Sequence, residues 1–239
     1  KQYADETKDI FVTESSDRAF EEEVMLSGFG DAAVKPEGQG VSFDTAQETY
    51  TARYTMETIA LAFAITEEAI EDNLYDRLAS RYTKALARSM ASTKNTKGAN
   101  VLNNGFDTSN GPFYGDGKCL LTTDHPTLSG DQANELSTSA DLNETSLESM
   151  LINIAATKDE RGLKVAAKAR RLVIPSDLIF TAERLMKSKG RVGTADNDIN
   201  AINHMGSIPE GYVVNHYLND TDAFFIITDV PNGMKHFDR

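Results

Sequence analysis

A polar segment between residues 106 and 140, rich in Gly, Asp, Ser and Thr, holds the residues best suited to chemistry. Within it, the run from Gly115 to Lys118 has the glycines and the lysine of a phosphate-binding loop. That motif also needs a Ser or Thr directly after the lysine, and Cys119 stands there instead. Two glycines around an aspartate are more typical of a tight turn. We therefore predict a turn, and we predict that Cys119 is a small loop residue rather than a nucleophile.

Asp124 and His125 are the candidates for an acid–base pair. Side chains of adjacent residues rarely converge on one site, and the following Pro126 favours a turn. We therefore predict no catalytic residue in this chain. A hydrolase with a loop site around Asp116, Asp124 and His125 is the alternative function.

Metal ligands are sought among the acids and histidines of the last third of the chain. The spacing from Asp196 to Asn200 is that of a calcium loop, but the required glycine and glutamate positions hold Ala201 and Ser207. His216 lies in an alternating stretch and is predicted to be a packed side chain. No zinc spacing connects the histidines at these positions: His204, His216 and His236. The sequence predicts no metal and no cofactor.

An extended segment is the longest regular pattern. From Tyr50 to Met56 apolar and polar residues alternate, which is the period of a half-buried strand. At Glu57–Thr58 the alternation changes parity, which indicates a bulge or bend. A strand from Thr49 to Ile65 would span about 55 Å. Few domains of this size could contain it, so we predict that it projects as an arm.

A long amphipathic helix is predicted directly after the strand. Acidic residues occupy its first turns, basic residues gather near its end, and apolar residues recur at helical spacing. A helix from Glu67 to Ser92 would be about 39 Å long and is expected to be the spine of one domain. Gly98 could interrupt it, and the run from Asn103 to Gly105 should end it. The apolar stripe is formed by Ile70, Leu74, Leu78, Tyr82, Ala85, Leu86 and Met90.

Shorter patterns predict the remaining elements. The predictions are, in chain order, an N-terminal arm that docks through Ile10 to Val12; a strand at 21–29 paired with the long strand; a helix capped by Asp141 or Asn143 with Leu147, Leu151, Ile154 and Ala155 inward; a buried strand at 171–174; a helix capped by Ser176; a flexible loop at 190–206; and a hairpin of 212–217 with 223–228.

Composition narrows the class of protein. The 239 residues suffice for one or two domains, and the net charge of −13, from 24 basic and 37 acidic residues, argues against a sequence-specific nucleic-acid reader. The basic run from Lys164 to Arg171 is interpreted as a solvated stretch, which leaves only non-specific proximity to DNA. No stretch has the roughly 20 apolar residues of a membrane helix, and no signal-peptide pattern opens the chain. The single cysteine suits a cytoplasmic origin.

Several short sequence motifs, taken in order, resemble those of a known family. The run from Tyr54 to Tyr75 is similar to the major capsid proteins of tailed bacteriophages, and within them to the Mu-like prophage major head subunit. The same similarity continues, between about Phe20 and the end of the chain, at residues 115–118, 124–126, 141–147 and 169–175.

This resemblance implies the Hong Kong 97-type capsid fold, an α+β architecture. Its parts would be an N-terminal arm (1–22) across a neighbouring subunit, an extended β-hairpin loop (23–66), a peripheral domain with the long spine helix (67–165) and an axial domain (166–239). Family chains continue past the equivalent of Arg239 and return to the peripheral domain. Because this chain stops there and begins without Met, we expect further sequence at both ends.

The function implied by the resemblance is that of a major capsid protein, not an enzyme. Copies would form the hexamers and pentamers of an icosahedral virion shell around double-stranded DNA, assembled in the bacterial cytoplasm. The partners would be other copies, the packaged DNA, and head proteins such as portal, scaffold or protease. Another virion component, such as a decoration protein, is a further alternative. The residues proposed as inter-subunit contacts are Ile10, Phe11, Tyr50, Tyr54 and Met56.

Overall fold

The computed structural model describes residues 3–72, 75–109, 115–191, 198–231 and 233–239. Its strands are β1 (Val12–Ser15), β2 (Phe20–Ser27), β3 (Gln47–Thr55), β4 (Ala169–Ile174), β5 (Tyr212–Val214), β6 (Phe225–Thr228) and β7 (Lys235–Asp238). Its α-helices are α1 (Glu67–Glu71), α2 (Tyr75–Asn103), α3 (Glu144–Ala156), α4 (Ile179–Lys187) and α5 (Ala201–Met205), with short 3-10 helices at Glu6–Asp9 and Ser176–Leu178.

Strand β4 is the centre of the core. Its apolar end is fully buried, as expected for a strand covered on both faces. Leu172 and Ile174 pack in the cluster that includes Leu147, whereas Val173 faces the opposite cluster with Leu102. Because successive side chains of a strand alternate, one strand joins two apolar clusters.

The predicted hairpin of 212–217 with 223–228 is wrong. Strands β5 and β6 do not pair with each other; both flank β4 in a sheet of order β5-β4-β6. β5 runs parallel to β4, and β6 runs antiparallel to it. The reason is that β4, buried on both faces, needs hydrogen-bond partners on both edges, and these two segments supply them.

The N-terminal segment packs against the body of its own chain. Ile10 is 5% exposed and belongs to the cluster of Leu102, Val173 and Phe225. Beyond it, β1 pairs in parallel with β7, which the sequence analysis did not predict. The predicted docking through the apolar residues after Asp9 is therefore confirmed for Ile10.

The paired strands β2 and β3 form the predicted hairpin, with a register shift between Val24 and Leu26. The prediction that the strand reaches Ile65 is wrong, since β3 ends at Thr55 and residues 56–66 have no regular structure. The Met56 amide still bonds the Ala19 carbonyl at 3.1 Å, but β2 begins one residue later. A strand cannot continue where its partner has ended, because its amides and carbonyls would have nothing to pair with.

The long helix differs from its prediction in both extent and burial. Helix α2 runs on to Asn103, with Gly98 inside it rather than at a break. A Cβ on Gly98 would stand 2.7 Å from Thr7 Cγ2, so glycine lets the N-terminal segment approach the helix closely. Among the residues of α2 whose burial the structure describes, those that are buried lie in its last turns, around Ala99 and Leu102, while Tyr82 of the predicted stripe is exposed. The stripe positions Ile70, Leu74 and Leu78 lie outside the residues whose side chains the structure describes.

Helices α3 to α5 follow the predictions with smaller corrections. Asn143 caps α3 in a reciprocal capping box with Ser146, as one of the two predicted alternatives. Ala155 is exposed rather than inward, because it lies off the face that packs on the core. Ser176 begins a 3-10 turn instead of capping the helix, and the loop at 190–206 contains α5, capped by Asn200. None of the described helices is long and apolar enough to cross a membrane.

Candidate functional site

The polar loop residues considered for chemistry do come together. Gly115 and Gly117 both have positive φ, so the predicted tight turn is confirmed. This turn brings Asp116 to His125, with 2.7 Å between Oδ2 and Nδ1. Beside that pair, Lys118 forms an ion pair with Asp124. The adjacent Asp124 and His125 thus bond to different partners, and the turn is what brings residue 116 back toward residue 125.

The geometry of this cluster suits a structural role, in which its contacts hold the loop from residue 115 to residue 125 together, better than a catalytic one. The second ring nitrogen of His125, Nε2, lies 3.3 Å from the Leu120 carbonyl oxygen, so both nitrogens face acceptors within the protein. Cys119 is buried, and its thiol donates to the Leu121 carbonyl at 3.1 Å. In the described part of the chain, no hydroxyl or thiol bonds to His125, whereas nucleophilic catalysis needs such a contact.

Electrostatics support the same role. The hydrogen bond from Lys118 holds the pKa of Asp124 below its usual value, with a second contribution from Thr122. The same bond raises the pKa of Lys118. Both groups are therefore held in their charged forms at neutral pH, as a paired clamp requires.

The residues considered as metal ligands have other places in the structure. Within the ranges that the structure describes, no three acidic, histidine or cysteine side chains are grouped to hold a metal ion. Asp196 lies outside those ranges, and Asn200 accepts a bond from the Asn203 amide as the cap of α5. His216 is exposed rather than packed, because its ring and its amide both bind the Glu6 carboxylate, at 2.8 and 2.9 Å.

The basic run before β4 is partly used inside the subunit. Arg171 pairs with Asp9 at 3.2 Å and with Glu210 at 2.8 Å, and Arg170 also pairs with Glu210. Lys164 and Lys168 are exposed. The interpretation as a solvated stretch therefore fits the lysines, while the arginines fix the N-terminal segment and the sheet.

The residues proposed as inter-subunit contacts are mostly covered by their own chain. Ile10 is buried, and Phe11 meets the ring of His236 edge-on at 6.4 Å. Tyr54 lies 6.1 Å from Phe237 between ring centres. Tyr50 and Met56 are half-buried. The Tyr50 hydroxyl donates a hydrogen bond to the Pro126 carbonyl at 3.3 Å. The cover that the sequence analysis assigned to a neighbour is thus supplied in part from within the subunit.

The tip of the β2–β3 hairpin, residues 28–46, is the surface that sequence reasoning missed. Val34 is 94% exposed and Phe43 is 97% exposed, although both are large and apolar. At the base of the tip, Asp44 accepts two contacts of 2.9 Å from Arg161 and a 2.8 Å bond from the Gly30 amide. Backbone hydrogen bonds from Gly30 and Thr45 lower the pKa of Asp44. The signal in the sequence was the presence of large apolar residues in a loop otherwise rich in Gly and small residues.

A cavity of about 500 Å³ lies beside the end of α2 and the edge of β6. Apolar side chains such as Leu102, Phe106 and Met234 form its floor. Acidic side chains lie on its rim: Glu135, Asp141, Asp220 and Asp222. The sequence analysis did not predict this cavity, because residues from segments far apart in the sequence form it.

Comparison with solved structures defines the class of this fold. The chain is similar to the structure "Bacteriophage JBD30 capsid", with a TM-score of 0.66, 13% identity, and coverage of 88% of this chain and 89% of that one. A second structure, "Capsid of bacteriophage JBD30 decorated with minor capsid protein trimers computed in I4 symmetry", gives a TM-score of 0.63 with the same identity and coverage. No curated protein matches the sequence. The α+β fold is that of a phage capsid subunit.

The family follows from the sequence itself. The model of the family described as phage capsid protein matches residues 49–237, and the chain belongs to that family. It is a major capsid protein of a phage shell. The predicted virion location and structural role are confirmed at this level.

Proposed function

We propose that copies of this protein form the hexamers and pentamers of an icosahedral shell that encloses double-stranded DNA. The observation that carries the proposal is the hairpin tip, where Val34 and Phe43 stand almost fully in solvent. Exposed apolar side chains grouped on a projecting loop gain nothing in an isolated subunit and mark an interaction surface. The fold shared with phage capsid structures supports copies of the same chain as the partners.

The domain boundaries are part of this proposal. We assign a Hong Kong 97-type organisation of the Mu-like prophage head subgroup, with an arm (1–22), an extended hairpin (23–66), a peripheral domain (67–165) and an axial domain (166–239). The compact cluster around β4 supports the axial assignment, since the sheet and helices α4 and α5 pack there. Helix α2, whose described buried residues lie near its C-terminal end, supports an elongated peripheral part.

The N-terminal arm would have to leave its own subunit in order to lie across a neighbour. In the single subunit, the arm packs on its own body through Ile10 and through the pairing of β1 with β7. If it lies across a neighbour in the shell, the same contacts could be made between two copies by exchange of an identical element. We therefore retain Ile10 and Phe11, together with Tyr50, Tyr54 and Met56, as proposed contact residues.

The other proposed partners are the head proteins and the DNA that a capsid subunit meets during assembly. We propose assembly in the bacterial cytoplasm together with portal, scaffold or protease proteins, and non-specific proximity to the packaged DNA. The net charge of −13 supports a subunit that stays dispersed before assembly.

Electron microscopy of the purified protein after size-exclusion chromatography tests the proposal. The wild type should give closed shells, tubes or isolated rings. Phe43→Ser should leave a folded subunit that assembles poorly, because the side chain is 97% exposed and supports no core. Ile152→Ser, at an exposed position of α3, is the matched control and should assemble normally. A wild type that remains a small uniform oligomer under all salt and crowding conditions, even with its head partners, would refute the proposal.

A further inference from the structure

The cavity beside the end of α2 combines an apolar floor with an acidic rim. The floor includes the rings of Phe106 and Phe225, which stack with 6.2 Å between their centroids, and the fully buried Val173. The volume of about 500 Å³ lies in the range of pockets that bind small organic molecules. Apolar area that a ligand covers on such a floor contributes about 25 cal/mol per Å². The floor alone would therefore bind the apolar body of a small molecule, whatever its charge.

The rim determines which charge such a molecule can carry. Its acidic side chains are Glu135, Asp141, Asp220 and Asp222. None of the described residues that line the cavity is a lysine, arginine or histidine, and no ion pair among the described residues engages any of these four carboxylates. The basic side chains of the adjoining polar segment, Lys118 and His125, already contact Asp124 and Asp116. The rim is therefore negative and has no cation of its own among the described residues.

Two of the rim acids lie close enough to form a hydrogen bond with each other. That bond with Asp220, together with the negative charge of this neighbour, raises the pKa of Asp222. Burial raises the pKa of Glu135, the charge of Asp124 adds to the rise, and the charge of His125 opposes it. Neighbouring carboxylates raise each other's pKa because each disfavours the charged form of the other. A cationic group at the rim would relieve this repulsion, whereas the carboxylate of a ligand would add to it.

We propose that this cavity binds a small organic cation, with its apolar body against the rings of Phe106 and Phe225 and its ammonium group at the rim beside Asp220 and Asp222. An amine with an aromatic or short alkyl body has this chemistry. The site belongs to the single subunit and does not depend on assembly into a shell. The ligand would contact the end of α2, the polar segment and the region around β6 together. Because the unfolded chain lacks this site, binding should also stabilise the subunit against unfolding.

Three probes with the same apolar body test the charge preference. Phenylbutylamine, phenylbutanol and phenylbutyrate end in a cation, a neutral hydroxyl and an anion. In calorimetric titrations of dispersed subunits, the amine should bind about fivefold more tightly than the alcohol, as for the stronger exposed ion pairs, and the butyrate should bind least. Asp220→Asn combined with Asp222→Asn should lower the affinity for the amine to that for the alcohol, and the affinity for the alcohol should not change. Asp17→Asn combined with Asp177→Asn removes the same charge at exposed positions that do not line the cavity, and should bind like the wild type.

Methionine methyl groups report the location. Met150 and Met234 line the cavity, whereas Met205, at the end of α5, is 76% exposed and does not line it. In NMR spectra of subunits with labelled methionine methyls, phenylbutylamine should shift the signals of Met150 and Met234 and leave that of Met205 in place. Phe106→Ala removes a ring from the floor and should weaken the binding of all three probes. Because this ring is 51% exposed, the variant should still fold.

Two results would overturn the proposal. Equal affinity of the wild type for the amine and the alcohol would identify the cavity as a site for neutral apolar molecules. Binding of the amine without shifts at Met150 and Met234 would mean that the amine binds elsewhere on the subunit.

Discussion

Replacing Ile10 by alanine should separate two positions for the N-terminal arm. In the subunit, Ile10 is 5% exposed and packs with Leu102, Val173 and Phe225. The substitution removes three carbons, which is worth about 2.4 kcal/mol in lost transfer free energy. The cavity that remains adds to this cost, so we expect the free energy of unfolding to fall by about 2–4 kcal/mol.

The assay is urea unfolding of dispersed subunits, followed by amide hydrogen exchange. Val12 donates its amide to the Met234 carbonyl at 2.9 Å, and Ser16 donates to Asp238 at 3.0 Å. Both amides should exchange faster in Ile10→Ala if the arm is held by this side chain. Val12→Ala is the control: its side chain is 53% exposed, so it should cost well under about 1 kcal/mol.

The outcome also decides where the arm lies before assembly. If Ile10→Ala leaves the dispersed subunit unchanged but weakens the shells, the arm packs on a neighbour and the position in the single subunit is wrong. If neither the subunit nor the shells change, the burial argument itself fails.

Three further predictions follow from contacts of single residues. Gly98→Ala should lower the free energy of unfolding by about 1 kcal/mol, although alanine has the better helix propensity, because the new Cβ would stand 2.7 Å from Thr7 Cγ2. Adding Thr7→Ser removes that methyl group and should restore the stability measured by urea unfolding. Arg161→Ala should speed protease cleavage within residues 28–46 without moving the urea midpoint, because it frees Asp44 at the base of the tip; unchanged cleavage would contradict this. Glu135→Gln should stabilise the subunit at neutral pH. The raised pKa of Glu135 means that the folded state binds more protons than the unfolded state between pH 4.5 and that pKa, so the gain should vanish as pH falls through this window.

Elements set by local pattern were predictable from the sequence. The alternation around Tyr50 gave the paired hairpin, the capping box at Asn143 gave the start of α3, and the apolar run ending at Ile174 gave β4. In each case the residues that determine the element lie within a few positions of one another.

Pairings between distant segments were not predictable in the same way. Val12 is aligned with Lys235 in the parallel pair of β1 and β7, and neither four-residue strand carries a signal of its own. β5 and β6 flank β4 because β4 has hydrogen-bonding groups to satisfy at both of its edges, and no pattern in the sequences of β5 and β6 indicates this. The end of β3 at Thr55 depends on where β2 begins. Register between separate segments is a property of the whole fold.

The candidate surfaces divide along the same line. The turn at Gly115 and Gly117 followed from residue type, but the contact of Asp116 with His125 depended on the path of the loop. The cavity could not be foreseen, because its lining comes from α2, the polar loop, α3, β4, the segment around β6 and Met234. Its acidic character is visible only once those segments are brought together.

The charge of the subunit constrains how its apolar surfaces can act. With a net charge of −13, two copies repel at a distance, and at physiological salt this repulsion is largely screened beyond about 8 Å. Apolar contacts act only at touching distance, so the exposed Val34 and Phe43 cannot draw copies together before they meet. The repulsion therefore opposes non-specific approach, and only surfaces whose shapes bring these apolar side chains into close contact gain enough to overcome it. This balance favours ordered assembly over aggregation through the same exposed side chains.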